Sequence, residues 1–155
     1  MEAASLHSLA QLKMYCESTA KQLLFQFYEF VPFCAYLTPS NEIQHLAASG
    51  PAGASVQELY ELLHKSLVSL YNERKLMAYA LTSNVTVPAE LSPPFPDGIR
   101  VHMETSGYSR FLYTPYRVLP YPALLKFLAV VPVIRYAELI AEDVRPAVFP
   151  ELVDG

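Results

Sequence analysis

The sequence predicts an α+β domain: a five-stranded antiparallel sheet with three main helices, in the order helix, two strands, helix, three strands, helix. Two observations carry this. Three segments place apolar residues at steps of three and four, the repeat of a helix with one buried stripe. Between them lie segments that alternate apolar and polar residues, joined by connections short enough for hairpins. At 155 residues, with 52% apolar and 17% charged side chains, the chain has the material for one packed core and is not disordered. The domain is expected to span 1–145, with 146–155 a loosely packed tail.

The first stripe is Leu9, Leu12, Cys16, Ala20, Leu23 and Phe27. Its helix should stop near Glu29, because Pro32 disfavours helix for the residue before it. Pro32 to Leu37 reads as a buried strand. Thr38-Pro39-Ser40-Asn41 then turns it into a short or edge strand over Glu42 to Ala47. Ser55-Val56-Gln57-Glu58 is a capping box and opens the second helix, with its stripe on Val56, Leu59, Leu63, Leu67 and Leu70. Arg74 and Lys75 close it, where cations favour the dipole.

From Ala78 to Val87 the period changes to two. Pro93-Pro94-Phe95-Pro96 is a stiff loop, or a short polyproline segment for an aromatic groove. In the next strand Ile99, Val101 and Met103 face one way, and Arg100, His102 and Glu104 the other. A three-residue loop at Thr105-Ser106-Gly107 would pair Val101 with Phe111 and Ile99 with Tyr113, apolar with apolar. A two-residue loop would pair His102 with Phe111 and mix the faces. The first is preferred. Thr114-Pro115-Tyr116 should end that strand, since proline cannot donate to a central ladder. A third helix should run from Tyr121 through Leu124, Leu125, Leu128 and Val131. It is kinked at Pro132 and continues through Ile134, Leu139 and Ile140.

This element order is similar to the roadblock and profilin-like architectures, in which a five-stranded antiparallel sheet sits between helices. The resemblance covers Leu6 to about Ala141 and rests on element order. It implies helices on both faces of the sheet, whereas the polar face of Arg100, His102 and Glu104 argues for one face left partly wet.

Several functions are excluded. A net charge of -4 without a basic stripe gives no surface for nucleic acid. The stretch from Tyr121 to Ala141 carries Lys126, Arg135 and Glu138, so it is not a membrane span. Without a secretory leader, and with only Cys16 and Cys34, the chain reads as cytoplasmic with reduced thiols. The glycosylation match Asn84-Val85-Thr86 then has no use. No metal motif, phosphate-cradling loop or nucleophile elbow occurs, so no catalytic residue, metal or cofactor is assigned. Glu61 and His64 read as a solvated pair on a helix face rather than half of a carboxylate metal site.

The chemistry that remains is in and around Ser106 to Pro122, where four tyrosines and three prolines fall within seventeen residues. Arg100, His102, Arg110, Tyr113, Tyr116, Arg117 and Tyr121 are the candidate binding residues, because tyrosine and arginine anchor interfaces and arginine forks hold planar anions. Two functions follow. One is a non-enzymatic domain acting through a protein partner or its own self-association. The other is a small-molecule sensor or enzyme with a pocket at this Tyr/Arg cluster.

Overall fold

The computed structural model describes residues 3–48, 50–119 and 133–151. It is an α+β fold with one antiparallel sheet. The helices are α1 (Leu6–Phe27) and α2 (Val56–Asn72). The strands are β1 (Phe33–Leu37), β2 (Ile43–Ala47), β3 (Ala78–Thr86), β4 (Asp97–Thr105), β5 (Tyr108–Leu119), β6 (Val133–Tyr136) and β7 (Ile140–Asp143), with a short 3-10 turn at Ala89–Leu91. The sheet runs β2-β1-β3-β4-β5-β6, with β7 also on β5. Among the described residues, seven strands therefore stand where five were expected, and two helices where three were.

The helix α1 forms where its caps and stripe dictate. The Ser5 hydroxyl accepts from the Ser8 N–H at 3.1 Å, and Tyr28, at φ 63°, closes the last turn by donating to the Leu24 carbonyl. Leu9, Leu12, Cys16, Ala20 and Leu24 are buried on the sheet. Phe27, the last residue of the expected stripe, lies beyond the buried part of the helix and is 62% exposed. The strands present Ala35, Ala78 and Ala80 to this helix. These small side chains let it approach closely and let Leu12 and Leu24 fill the layer.

On the other face, α2 is capped by Ser55, whose hydroxyl accepts from the Glu58 N–H at 3.1 Å. Leu63 and Leu67 are buried there with Leu76, Cys34, Tyr79 and Leu81. The first stripe residue, Val56, stays 56% exposed. The strand β2 lies at the edge of the sheet, as its weak alternation implied, and Asn41 (φ 67°) makes the turn that leads to it.

The β4–β5 hairpin has the register not preferred from sequence. Thr105 pairs with Tyr108, Met103 with Arg110 and His102 with Phe111, so the loop is the two residues Ser106-Gly107, with Gly107 at φ 78°. The one-residue difference turns β5 over. Phe111 and Tyr113 thus join His102 and Arg100 on the α2 face, while Leu112 and Tyr116 join the α1 core. The face expected to be wet is closed: His102 is 3% and Glu104 0% exposed.

Pro115 does not end β5, which runs on to Leu119. Tyr116 pairs with Tyr136 but Tyr113 with Ile140, so two residues of β5 face three of the opposing chain. This is a bulge between β6 and β7. The Pro115 carbonyl accepts from Ala137 N–H at 2.9 Å, so its missing N–H points toward that bulge and costs no bond to β4. Beside it Gly98 has no room for a side chain: a Cβ there would sit 2.5 Å from Val87 Cγ2. The expected third helix over Tyr121 to Val131 lies outside the described residues. Its continuation through Ile134 and Ile140 is strand instead, because β5 needs a partner for its outer backbone groups.

Within the tail expected to pack loosely, residues 147–149 are held on the sheet. Phe149 is 4% exposed among Leu63, Leu67 and Leu76. Among the described residues, no helix is long and apolar enough to cross a membrane.

Candidate functional site

The polar centre of the α2 face is built around Glu104. Its Oε1 accepts from the N–H groups of Val148 (3.1 Å) and Phe149 (2.7 Å), and its Oε2 from Ala147 N–H (3.1 Å) and the Tyr79 hydroxyl. Three consecutive backbone donors thus converge on one buried carboxylate and strap residues 147–149 across the sheet. From α2, His64 Nε2 lies 3.2 Å from the Ala147 carbonyl and pins the strap a second time. Glu61 instead accepts from Gln57, so Glu61 and His64 do not act as a pair. Burial and the adjacent carboxylate push the Tyr79 hydroxyl far above its ordinary pKa, which keeps it a donor.

His102 touches this centre but makes no catalytic relay. Its Nε2 is 3.1 Å from Ser109 Oγ and 3.8 Å from Glu104 Oε2. A relay needs the serine on one ring nitrogen and the carboxylate on the other; here both meet the same nitrogen. Ser109 in turn donates to the Arg145 carbonyl at 3.4 Å, so its oxygen is a receiver rather than a nucleophile. Burial, then the charge of Arg100 and the neighbouring His64, lower the His102 pKa to about 4. The native ring is thus neutral at pH 7, whereas in the unfolded chain it titrates near 6.5. Stability contributed by the neutral ring is complete above pH 6.5. It should fall by about 2–3 kcal/mol as pH drops toward 4, where the unfolded chain binds a proton the fold refuses. Urea midpoints between pH 7.5 and 4.5 measure this, and His102→Gln should flatten the profile.

The seven residues singled out in the sequence do not form one site. Arg100, His102 and Tyr113 share the α2 face. Tyr116 lies on the α1 face, where its hydroxyl donates to Asn84 Oδ1 at 2.7 Å, and burial raises its pKa to about 12. Arg110 is exposed and paired with Asp143 at 2.7 Å. Arg117 is exposed at the far end of β5, and Tyr121 lies outside the described residues. Odd spacing along a strand separates Tyr113 from Tyr116, so no single pocket collects them. Among the described residues no three His, Cys, Asp or Glu side chains are placed to hold a metal. Cys16 and Cys34 are free and buried, and burial raises the Cys16 thiol to about 11 and Cys34 well above its usual value, so neither is a nucleophile.

A different feature escaped the sequence. Between the C-terminal half of α1, the 29–32 connection and β2 lies an apolar groove of about 680 Å³. Leu23, Phe27, Phe30, Val31, Phe33 and Val56 wall it, and among the described residues Glu29 is the one charged side chain lining it. Phe27, Val31 and Val56 are more than half exposed at 62%, 56% and 56%. His45 of β2 forms the floor, stacked on Phe33 at 5.8 Å and 3.3 Å from the Tyr15 hydroxyl. The signal in the sequence was Phe27 and Val56, which sit on apolar stripes but too near the helix ends to reach the core. Compared with known proteins, the chain matches no family model, and no curated protein or solved structure is significantly similar to it.

Proposed function

We propose that this chain is a non-enzymatic interaction domain that self-associates through the outer edge of β2 and the apolar groove beside it. The observation that carries this reading is the adjacency of the two. An edge strand presents unpaired backbone donors and acceptors, and the groove next to it offers apolar side chains that water covers at a cost. Edge strands are usually blunted by charge, proline or a bulge. Ile43-Gln44-His45-Leu46-Ala47 has none of these.

A second copy is the occupant this edge favours. An antiparallel strand pair about a twofold axis is self-complementary, and an uncharged strand meets its own copy without repulsion. Phe27 and Val31 of each copy would then flank the joined strands. Pairing of one five-residue edge strand with an apolar flank is expected to give association in the micromolar range. The two buried free thiols suit a reducing, cytoplasmic setting.

Light scattering on a sizing column across a concentration series tests this. The apparent mass should rise from monomer toward dimer over about 1–200 µM, the range set by a micromolar constant. Phe27→Asp or Ile43→Lys should hold the monomer throughout, while Lys75→Ala should not. A wild-type monomer at the top of the range overturns the proposal.

A further inference from the structure

The register of β2 on β1 fixes which of its backbone groups point outward. Thr38 N–H donates to the Glu42 carbonyl at 3.0 Å. Next along the ladder, Leu37 is opposite Ile43, Tyr36 opposite Gln44, Ala35 opposite His45, Cys34 opposite Leu46 and Phe33 opposite Ala47. Bonded and non-bonded pairs alternate in an antiparallel ladder. Thr38 and Glu42 are a bonded pair, so Tyr36 with Gln44 and Cys34 with Leu46 are bonded too. Ile43, His45 and Ala47 therefore turn their N–H and C=O groups away from β1. Among the described residues no other strand lies beside β2.

These outward groups match a second copy in one register. With a twofold axis at His45, Ile43 bonds to Ala47 of the second copy, His45 to His45 and Ala47 to Ile43, and every outward group of the strand is used. With the axis at Gln44 or Leu46, one of the three residues falls opposite a position outside β2. Directly opposite residues on paired strands share a face and hold their Cβ atoms roughly 5 Å apart. Both His45 rings would then stand side by side on the α1 face, between the two grooves. Around each ring, α1 supplies the Tyr15 hydroxyl, 3.3 Å from Nδ1, and β1 supplies Phe33, stacked at 5.8 Å, and Ala35. The groove walls add Val56 of α2 and Glu29 of the connection. None of these carries positive charge, and Glu29 is exposed, where water and salt screen it.

We propose, on the reading that this edge self-associates, that His45 lies on the twofold axis and gates the pair by pH. An imidazole in ordinary surroundings gains its proton between pH 8 and pH 5. Neutral rings meet across the axis without repulsion. Two imidazolium rings place like charges directly opposite each other on paired strands, which opposes pairing. The pair therefore binds fewer protons than two separate copies, so acid drives it apart. The edge strand meets its own copy as an uncharged surface only while these rings are neutral. Glu29 works against the gate, because its carboxylate offsets part of the repulsion.

Light scattering at about pH 8 and about pH 5.5, at matched ionic strength, tests this. The dissociation constant should be about tenfold larger at the lower pH. His45→Gln stays uncharged and should associate equally at both, which separates the gate from the acid loss of stability due to His102. Glu29→Gln should widen the difference. The register has its own readout. Under mild oxidation at the higher pH, His45→Cys should form a disulfide between copies. Ile43→Cys should not, because its equivalent lies four residues along the partner strand, roughly 13 Å away. Cys16 and Cys34 are buried and do not compete. Equal association at both pH values overturns the gate and leaves self-association standing. Crosslinking through Ile43→Cys in place of His45→Cys overturns the register and the gate with it. A monomer at both pH values overturns self-association itself, and the gate falls too.

Discussion

Glu104→Ala is expected to lower stability by about 3–5 kcal/mol, a large part of the 5–15 kcal/mol typical of a single domain. The carboxylate is fully buried and serves the backbone N–H groups of Ala147, Val148 and Phe149 together with the Tyr79 hydroxyl. Four stranded donors at about 1–3 kcal/mol each would exceed what any strap can withstand, so the strap lifts and the donors find water. The loss is then capped by the docking energy of residues 147–149. Urea denaturation reads the total, and amide exchange at those three residues reads the lifting. Glu104→Gln keeps one acceptor oxygen and should lose about half as much by the same reasoning. A Glu104→Ala protein with wild-type stability would mean that the strap is not held by this residue.

Phe149→Ala should cost about 3–5 kcal/mol, the usual range for a buried phenylalanine. The ring is 4% exposed and meets Tyr71 edge-on at 5.2 Å. Without it Leu67 and Leu76 lose their cover, and Glu104 faces a strap with no apolar anchor. Because both substitutions release the same segment, they should not add. The double variant is expected to be only about 1 kcal/mol worse than the weaker single, giving a coupling energy of about 2 kcal/mol or more. Full additivity would show that the carboxylate and the ring hold separate pieces of structure.

The first half of the fold is legible in the sequence because each element carries its own local signal. Ser55 before Glu58 marks the start of α2, and the change to period two at Ala78 marks β3. The second half is not, because its decisive partners are distant. The hairpin register was argued from one apolar face and one wet face. The α2 face is in fact a closed layer of mixed chemistry, so Phe111 beside His102 is favourable, with ring centres 4.8 Å apart. The spacing of Ile134, Leu139 and Ile140 suits a helix as well as two short strands, and the open side of β5 decides between them. Of the proposed site residues, alternation placed Arg100 and His102 together correctly. The same register error put Tyr113 on the wrong face, and a charged residue such as Glu104 gave no hint of its need for backbone donors more than forty positions away.

The two last residues of β4 also set the order in which the chain can mature as it is made. On one face Thr105 Oγ1 receives the N–H of Ala4, 101 residues earlier in sequence. On the other, Glu104 waits for Phe149, 45 residues later. A ribosome adding about 5–20 residues per second therefore leaves the apolar stripe of α1 without its full sheet for roughly 5–20 s. Both layers close only after translation has passed the β4–β5 hairpin. During that interval the newborn chain holds Leu9, Leu12 and Leu24 without the sheet that buries them in the folded protein.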